Sequence, residues 1–195
     1  MEGDLSAPDG GRVPRFYGAG TREFLHPLRG CNQARSRHAG RPTLLVGQSY
    51  GGSIVTEAGV YPSVVGLVNV AAHAPDVGED EGSIGKKTPS VLAKTPGAIK
   101  ETPDGYTYLD PEQFPKLFVP DLPREQALFG AHSRVLASAE VFTPPLMATA
   151  WKTKLSRVIV AANDTIIKPD LERRYYKYAK SQWQRHSPGG YLENV

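Results

Sequence analysis

Apolar residues change their pattern abruptly at Pro42. Between Met1 and Gly40 they stand singly among Gly, Arg, Pro and Ser, as in TREFLHPLRG. Neither the two-residue period of a strand nor the 3.6-residue period of a helix is sustained there, beyond one short helical stretch near Arg22–Leu28. An irregular or disordered arm is therefore predicted for residues 1–41. TLLVG follows, a continuous apolar run ending in glycine, which predicts a strand buried on both faces. GSIVTEAG has helical spacing, with Gly59 near its end, where a left-handed residue is favoured. YPS reads as a turn, and VVGLVNVAAHAP as a second β-branched strand closed by Pro75. Strand, helix and strand within ~30 residues form a βαβ unit, so an α/β fold with a parallel sheet is expected.

The pattern changes again after Pro75. DVGEDEGSIGKKTPS is charged and glycine-rich, and no His or Cys accompanies its acids. It predicts a solvated loop and no metal site. Short helical patterns follow, cut by Pro115, Pro120 and Pro123, since proline cannot continue a helix. Short helices inserted between two sheet strands commonly cover a pocket, so a helical lid is expected at about 76–149. SRVIVAAND predicts a third buried strand with a carboxylate just beyond it. KPDLERRYYKYAKSQ predicts a helix with Pro169 at its start and Asp170 and Glu172 in the first turn. WQRHSPGGYLENV shows no strand pattern. The organisation expected is a basic arm at 1–41 and a core at 42–195 carrying the lid.

Composition narrows the setting. The chain of 195 residues is 39% hydrophobic, enough for one core. No apolar run approaches the ~18 residues of a membrane helix, and the N-terminus has no apolar signal region. Cys31 is the single cysteine, so no intrachain disulfide forms, and a cytoplasmic location is expected. The net charge is +3, with Arg12, Arg15, Arg22, Arg29, Arg35, Arg37 and Arg41 crowded into the arm. A phosphate-binding arm usually interleaves aromatics, and only Phe16 and Tyr17 are at hand. The arm therefore reads as a solvated tail, with nucleic-acid binding the weaker reading and no membrane partner.

Against this background one serine stands out. Gly47, Ser49 and Gly51 form G-x-S-x-G between the first strand and the helix, the pattern of a nucleophile elbow. A sharp turn there strains the serine backbone and presses strand and helix together, which calls for glycines at the flanking positions. The Tyr50 amide, at the helix N-terminus, would face an oxyanion formed at Ser49. A serine nucleophile needs a base, and the base needs an orienting acid. Asp164 follows the third strand, where that acid belongs; Asp76, at the end of the second, is the alternative. Among His26, His38, His73, His132 and His186, only His186 follows Asp164 in chain order, although too little apolar sequence precedes it for another core strand.

LLVGQSYGGSIVTEAG, VVGLVNVAAHAPDVGE, FTPPLMATAWKTK and AANDTIIKPDLERRYYKYA resemble a bacterial, esterase-like branch of the α/β-hydrolase superfamily, from about Pro42 to Lys180. The resemblance implies Ser49 as nucleophile, Asp164 as triad acid, Tyr50 as carrier of one oxyanion amide, a lid from Asp76 to Thr149, and neither metal nor organic cofactor. Proteins of this kind open with a strand and an HG-type loop, and close with a strand followed by the catalytic histidine; neither end is matched here. The expectation is thus a partial α/β-hydrolase fold and a carboxylesterase-like serine hydrolase of a small ester with impaired turnover. The alternative is a non-catalytic hydrolase-like fragment or ligand-binding remnant. Without the preceding strand, Thr43–Val46 would present an open edge through which copies could self-associate. Phe114, Phe118, Phe129 and Phe142 suit either hydrophobic substrate groups or simple packing of the lid.

Overall fold

The computed structural model describes residues 42–134, 136–138, 140–178, 182–186 and 192–193. The expected arm, with Cys31, His26 and His38, lies outside them. The described core is a five-stranded sheet in the order β1-β2-β6-β7-β8. Strand β1 is Thr43–Ser49, β2 is Val64–Ala72, β6 is Leu155–Ala161, β7 is Gln182–His186 and β8 is Leu192–Glu193. The first four run parallel, and only β8 is antiparallel to its neighbour. The βαβ unit forms as expected, with α1 (Gly51–Ala58) crossing from β1 to β2.

Among the described residues, helices cover one side of this sheet. Val55 of α1, Leu67 of β2, Val158 and Val160 of β6, and Leu171, Tyr175 and Tyr176 of α6 (Pro169–Tyr178) belong to a single buried cluster with Trp151 and Ala150. In parallel register, side chains of paired residues share a face. Leu45 pairs with Leu67, and Asn69 with Val158, on the covered face. Leu44, Val46 and Leu155 point the other way and are 57%, 62% and 61% exposed. The double-sided burial expected of TLLVG is therefore corrected: an unbroken apolar run does not reveal whether helices sit on both faces. Strand β1 is also an edge, paired only with β2 among the described residues.

Two further readings change. Gly59 ends α1 with φ −69°, in the right-handed region. Its glycine meets a shortage of space instead, since a Cβ would stand 2.7 Å from both Ala150 Cβ and Leu67 Cδ2. The tail, expected to lack strands, contributes β7, whose backbone pairs Val158 with Trp183 and Ala161 with His186. Pairing with the edge of β6 supplies the hydrogen bonds that a short polar run such as QWQRH could not advertise by hydrophobic alternation.

The insertion between β2 and β6 holds short helices, as the prolines predict: α2 (Glu81–Lys87), α3 (Val91–Lys94), α4 (Phe114–Leu117) and α5 (Arg124–His132). Asp80 caps α2 by accepting from the Ser83 amide at 2.7 Å. Pro115 sits in the first turn of α4, and Pro123 precedes α5. The insertion also carries a small antiparallel sheet of β3 (Ile99–Glu101), β4 (Tyr106–Leu109) and β5 (Ala137–Ser138), which the helical reading missed.

Candidate active site at the carboxyl ends of the strands

Ser49 is the last residue of β1 and has φ 53°. A non-glycine residue in the left-handed region is strained and persists only where its surroundings hold it. The holding contacts are visible. The His73 amide donates to the Ser49 carbonyl at 3.2 Å, and the Ser53 amide donates to the Tyr50 carbonyl at 3.1 Å as α1 begins. Opposite Ser49 the register slips, with Gln48 facing Val70 and Ser49 facing Ala72. The skipped residue, Ala71, also has positive φ, 41°. Two strained residues thus lie side by side at the ends of β1 and β2. Sequence reasoning found the first; alanine carries no signal for the second.

The glycines divide differently from expectation. A Cβ on Gly47 would stand 2.5 Å from the Gly51 carbonyl oxygen, so strand and helix do approach too closely there for a side chain. A Cβ on Gly51 would meet nothing within 4 Å. The crowded position is Gly52, whose Cβ would fall 2.1 Å from the His73 carbonyl oxygen. Gly51 as a glycine demanded by space is therefore corrected to Gly52, because the tight approach is between the second residue of α1 and the end of β2.

Asp164 stands three residues beyond β6, half-buried, and its Oδ1 accepts from the amides of Ile166 and Ile167 at 2.6 and 3.1 Å. Burial raises its pKa, and those two amides oppose the rise. His186 ends β7, level with Ala161 at the end of β6. By strand register, Ser49, Asp164 and His186 belong to one rim of the sheet, the rim formed by the carboxyl ends of parallel strands. Asp76 pairs with Lys152, whose Nζ lies 2.5 Å from its Oδ1; burial raises its pKa, and hydrogen bonds from Lys152 and the Val77 amide outweigh that and lower it. Tyr50 packs edge-to-face on Phe142 of the insertion, with ring centroids 5.4 Å apart. Phe114 instead stacks on Phe118, Phe129 is exposed, and His132 is exposed at the end of α5.

Beside the rim lies a cluster that the sequence reading did not find. Ser53 Oγ donates to Glu81 Oε1, His73 Nε2 is 3.5 Å from Glu81 Oε2, and His73 Nδ1 is 3.2 Å from the Tyr175 hydroxyl. Burial pushes Glu81 up to about 8 and His73 down to about 4, so both are neutral near pH 7. Glu81 belongs to the acidic stretch read as a solvated loop, yet it is buried. The available signal was its spacing three residues before Ile84, which places both on the same face of α2. Glu172 is fully buried, with no side-chain partner for its carboxyl among the described residues, and the Ala72 backbone opposes its pKa rise. Burial first, and the Asp164 charge second, raise its pKa to about 9.

Among the described residues no group of three or more His, Cys, Asp or Glu could hold a metal ion. No helix there is long and apolar enough to cross a membrane.

A family model described as "Alpha/beta hydrolase family" matches residues 4–191. The match takes in most of the arm and of the tail, the two stretches in which the sequence showed no family pattern. An extracellular alpha/beta-hydrolase from a Paenibacillus species is similar in structure, with TM-score 0.67 and 15% identity over 88% of this chain and 74% of that one. A pyrethroid hydrolase from Sphingobium faniae JZ-2 gives 0.60 and 17%, over 89% of this chain and 71% of that one. A methylesterase from Arabidopsis gives 0.58 and 18%, over 83% and 65%. At these identities the likeness is one of fold, and the chain spans 65–74% of the length of these three structures. No curated protein sequence matches it.

Proposed function

The chain belongs to the alpha/beta hydrolase family, and we propose that it acts as a serine hydrolase on a small ester. Ser49 is the nucleophile in this reading, and the backbone of Tyr50 offers one amide to the oxyanion. Asp164 orients the base, and His186, at the end of the neighbouring strand, is that base. Ser49 Oγ gives its proton to His186 as it bonds to the ester carbonyl carbon. The alcohol then leaves with that proton, and water delivered through the same histidine cleaves the acyl-enzyme. The observation that carries the reading is Ser49 at φ 53° on a strand-to-helix junction, a strain that an ordinary turn serine has no reason to keep. The pyrethroid hydrolase and the methylesterase among the structural neighbours agree with hydrolysis of an ester and choose no substrate. The segment 76–149 serves as the lid, meeting the elbow where Phe142 packs on Tyr50.

If Tyr50 supplies the one oxyanion amide, turnover is expected to be slow. Among the described residues β1 has no strand on its outer side from which a second oxyanion amide could come. One missing donor costs about 2.7–4 kcal/mol in the transition state, a factor of roughly 10²–10³ in rate. The same observation favours the second reading, a hydrolase-like protein that binds without turning over. A fluorophosphonate probe separates the two on the purified full chain. Labelling that disappears in Ser49→Ala is expected. Unlabelled protein, or label that survives Ser49→Ala, would overturn the nucleophile assignment.

A further inference from the structure

We propose that Glu81 is a positioning residue for Ser49, fixing the elbow through Ser53 on one side and His73 on the other. The inference rests on the serine-hydrolase reading and adds to it a group from the insertion. Four segments meet in the cluster around this carboxyl. Ser53 comes from the first turns of α1, four residues after Ser49. His73 follows β2, and its own amide holds the Ser49 carbonyl. Tyr175 comes from α6 and holds the far nitrogen of His73. Glu81 opens α2 in the insertion.

Elbow strain needs rigid support from both chain directions. The backbone of His73 supplies it from β2, touching Ser49 by hydrogen bond and Gly52 by close packing. What keeps His73 in place is its side chain, held between Tyr175 and Glu81. Ser53 ties the helix to the same carboxyl. The insertion is fastened nearby a second time, where the Gly82 amide donates to the Phe142 carbonyl at 2.8 Å and Phe142 packs on Tyr50. A displacement of ~1 Å at a reacting atom can cost a hundredfold in rate, so a strut that fixes Ser49 bears on chemistry without touching substrate.

The cluster can be wired with both Glu81 and His73 neutral: Oε1 accepts from Ser53, Oε2–H faces His73 Nε2 at 3.5 Å, and His73 Nδ1–H points to the Tyr175 oxygen at 3.2 Å. Burial of Glu81 and His73 favours this neutral arrangement. The other charges nearby are Glu79 and Arg174, which act on Tyr175, and Asp80 and Lys86, which stand outward on the segment of α2 itself. A glutamine can reproduce every bond in the chain; an alanine reproduces none.

The test uses the full chain as wild type, Glu81→Gln, Glu81→Ala and Ser53→Ala, with two readouts. Amide hydrogen exchange is followed at Tyr50–Ser53 and, as reference, at Val158 and Val160. Fluorophosphonate labelling of Ser49 is followed as maximal rate against pH. Glu81→Ala is expected to speed exchange at the elbow at least tenfold with the reference amides unchanged, and to slow maximal labelling about tenfold. Ser53→Ala should fall between Glu81→Ala and wild type in both readouts, and keeps the test open should Glu81→Ala fail to fold. Glu81→Gln should restore both to within about twofold, and should lack the decline in labelling expected of wild type above about pH 8. Elbow exchange and labelling in the alanine variants equal to wild type, or Glu81→Gln as impaired as Glu81→Ala, would overturn the proposal. Absent labelling in wild type sinks the nucleophile reading alone, because the exchange measurement still decides whether Glu81 fixes the elbow.

Discussion

The two faces of the sheet are built from almost the same residue types and live in different solvents. Leu67, Val158 and Val160 are no more than 1% exposed beneath α1 and α6, whereas Leu44, Val46 and Leu155 on the opposite face are more than half exposed. Hydrophobicity along a strand therefore states a capacity for burial. Which residues use that capacity is decided by where the connecting helices cross. Both α1 and α6 lie on one face, so the rim that carries Ser49 is braced from that face.

Paired substitutions make this difference measurable. Leu67→Ala removes a fully buried side chain and is expected to destabilise by about 2–5 kcal/mol. Val46→Lys, on the open face of the neighbouring strand, should change stability by less than about 0.5 kcal/mol. Because it places a charge beside the β1 edge, it should also lower any sedimentation mass above that of the monomer. Equal losses in urea unfolding from the two variants would mean that the faces are equally covered, and the contrast would fail.

The second prediction concerns the cost of burying charge on the covered side. Glu81 has a hydrogen bond from Ser53 and a 3.5 Å contact with His73, whereas Glu172 is opposed by burial and the Asp164 charge with the Ala72 backbone to relieve it, and both carboxyls have raised pKa values. A carboxyl with a folded pKa of about 9, against 4.5 as its ordinary value, binds more protons folded than unfolded between those two pH values. Stability from this group therefore falls as pH rises through that window. Glu172→Gln removes the dependence. It should stabilise by on the order of 1–3 kcal/mol at pH 8 and make little difference at pH 4. A variant whose urea midpoint tracks wild type at every pH would show that Glu172 is not held neutral. His73 has the opposite sign: with a folded pKa of about 4 against 6.5, its contribution is complete above 6.5 and is lost as pH falls toward 4.

Much of the covered side was legible in the sequence. The G-x-S-x-G pattern fell between a strand and a helix because chain order and local period alone specify that junction. Asp164 was found at the end of β6 for the same reason. Glu172 was legible in principle, since Leu171, Tyr175 and Tyr176 surround it at helical spacing and mark the buried stripe of α6. It was read instead as a first-turn acid facing the helix dipole, because its residue type argued for exposure. β7 was missed because a short polar strand is defined by the neighbour it pairs with, and the neighbour is more than 20 residues away. The one-sided cover among the described residues was missed because it depends on crossover geometry, which no window of sequence contains.

The smallest effect tests the finest of these distinctions. Gly51 and Gly52 are adjacent, both at the start of α1, and a pattern match assigns the requirement to Gly51. Space assigns it to Gly52. An alanine at 52 would drive its Cβ into the His73 carbonyl, a backbone atom that cannot move without disturbing the support of Ser49. An alanine at 51 meets open space, and the backbone there is not left-handed. It also restricts the unfolded chain, so Gly51→Ala should be neutral or stabilising by up to about 1 kcal/mol, with Ser49 labelling retained. Thermal unfolding and probe labelling of the two variants together decide the matter. If Gly51→Ala unfolds early while Gly52→Ala is tolerated, the helix does not enter the elbow against the end of β2, and the bracing of Ser49 from the covered face loses its geometric basis.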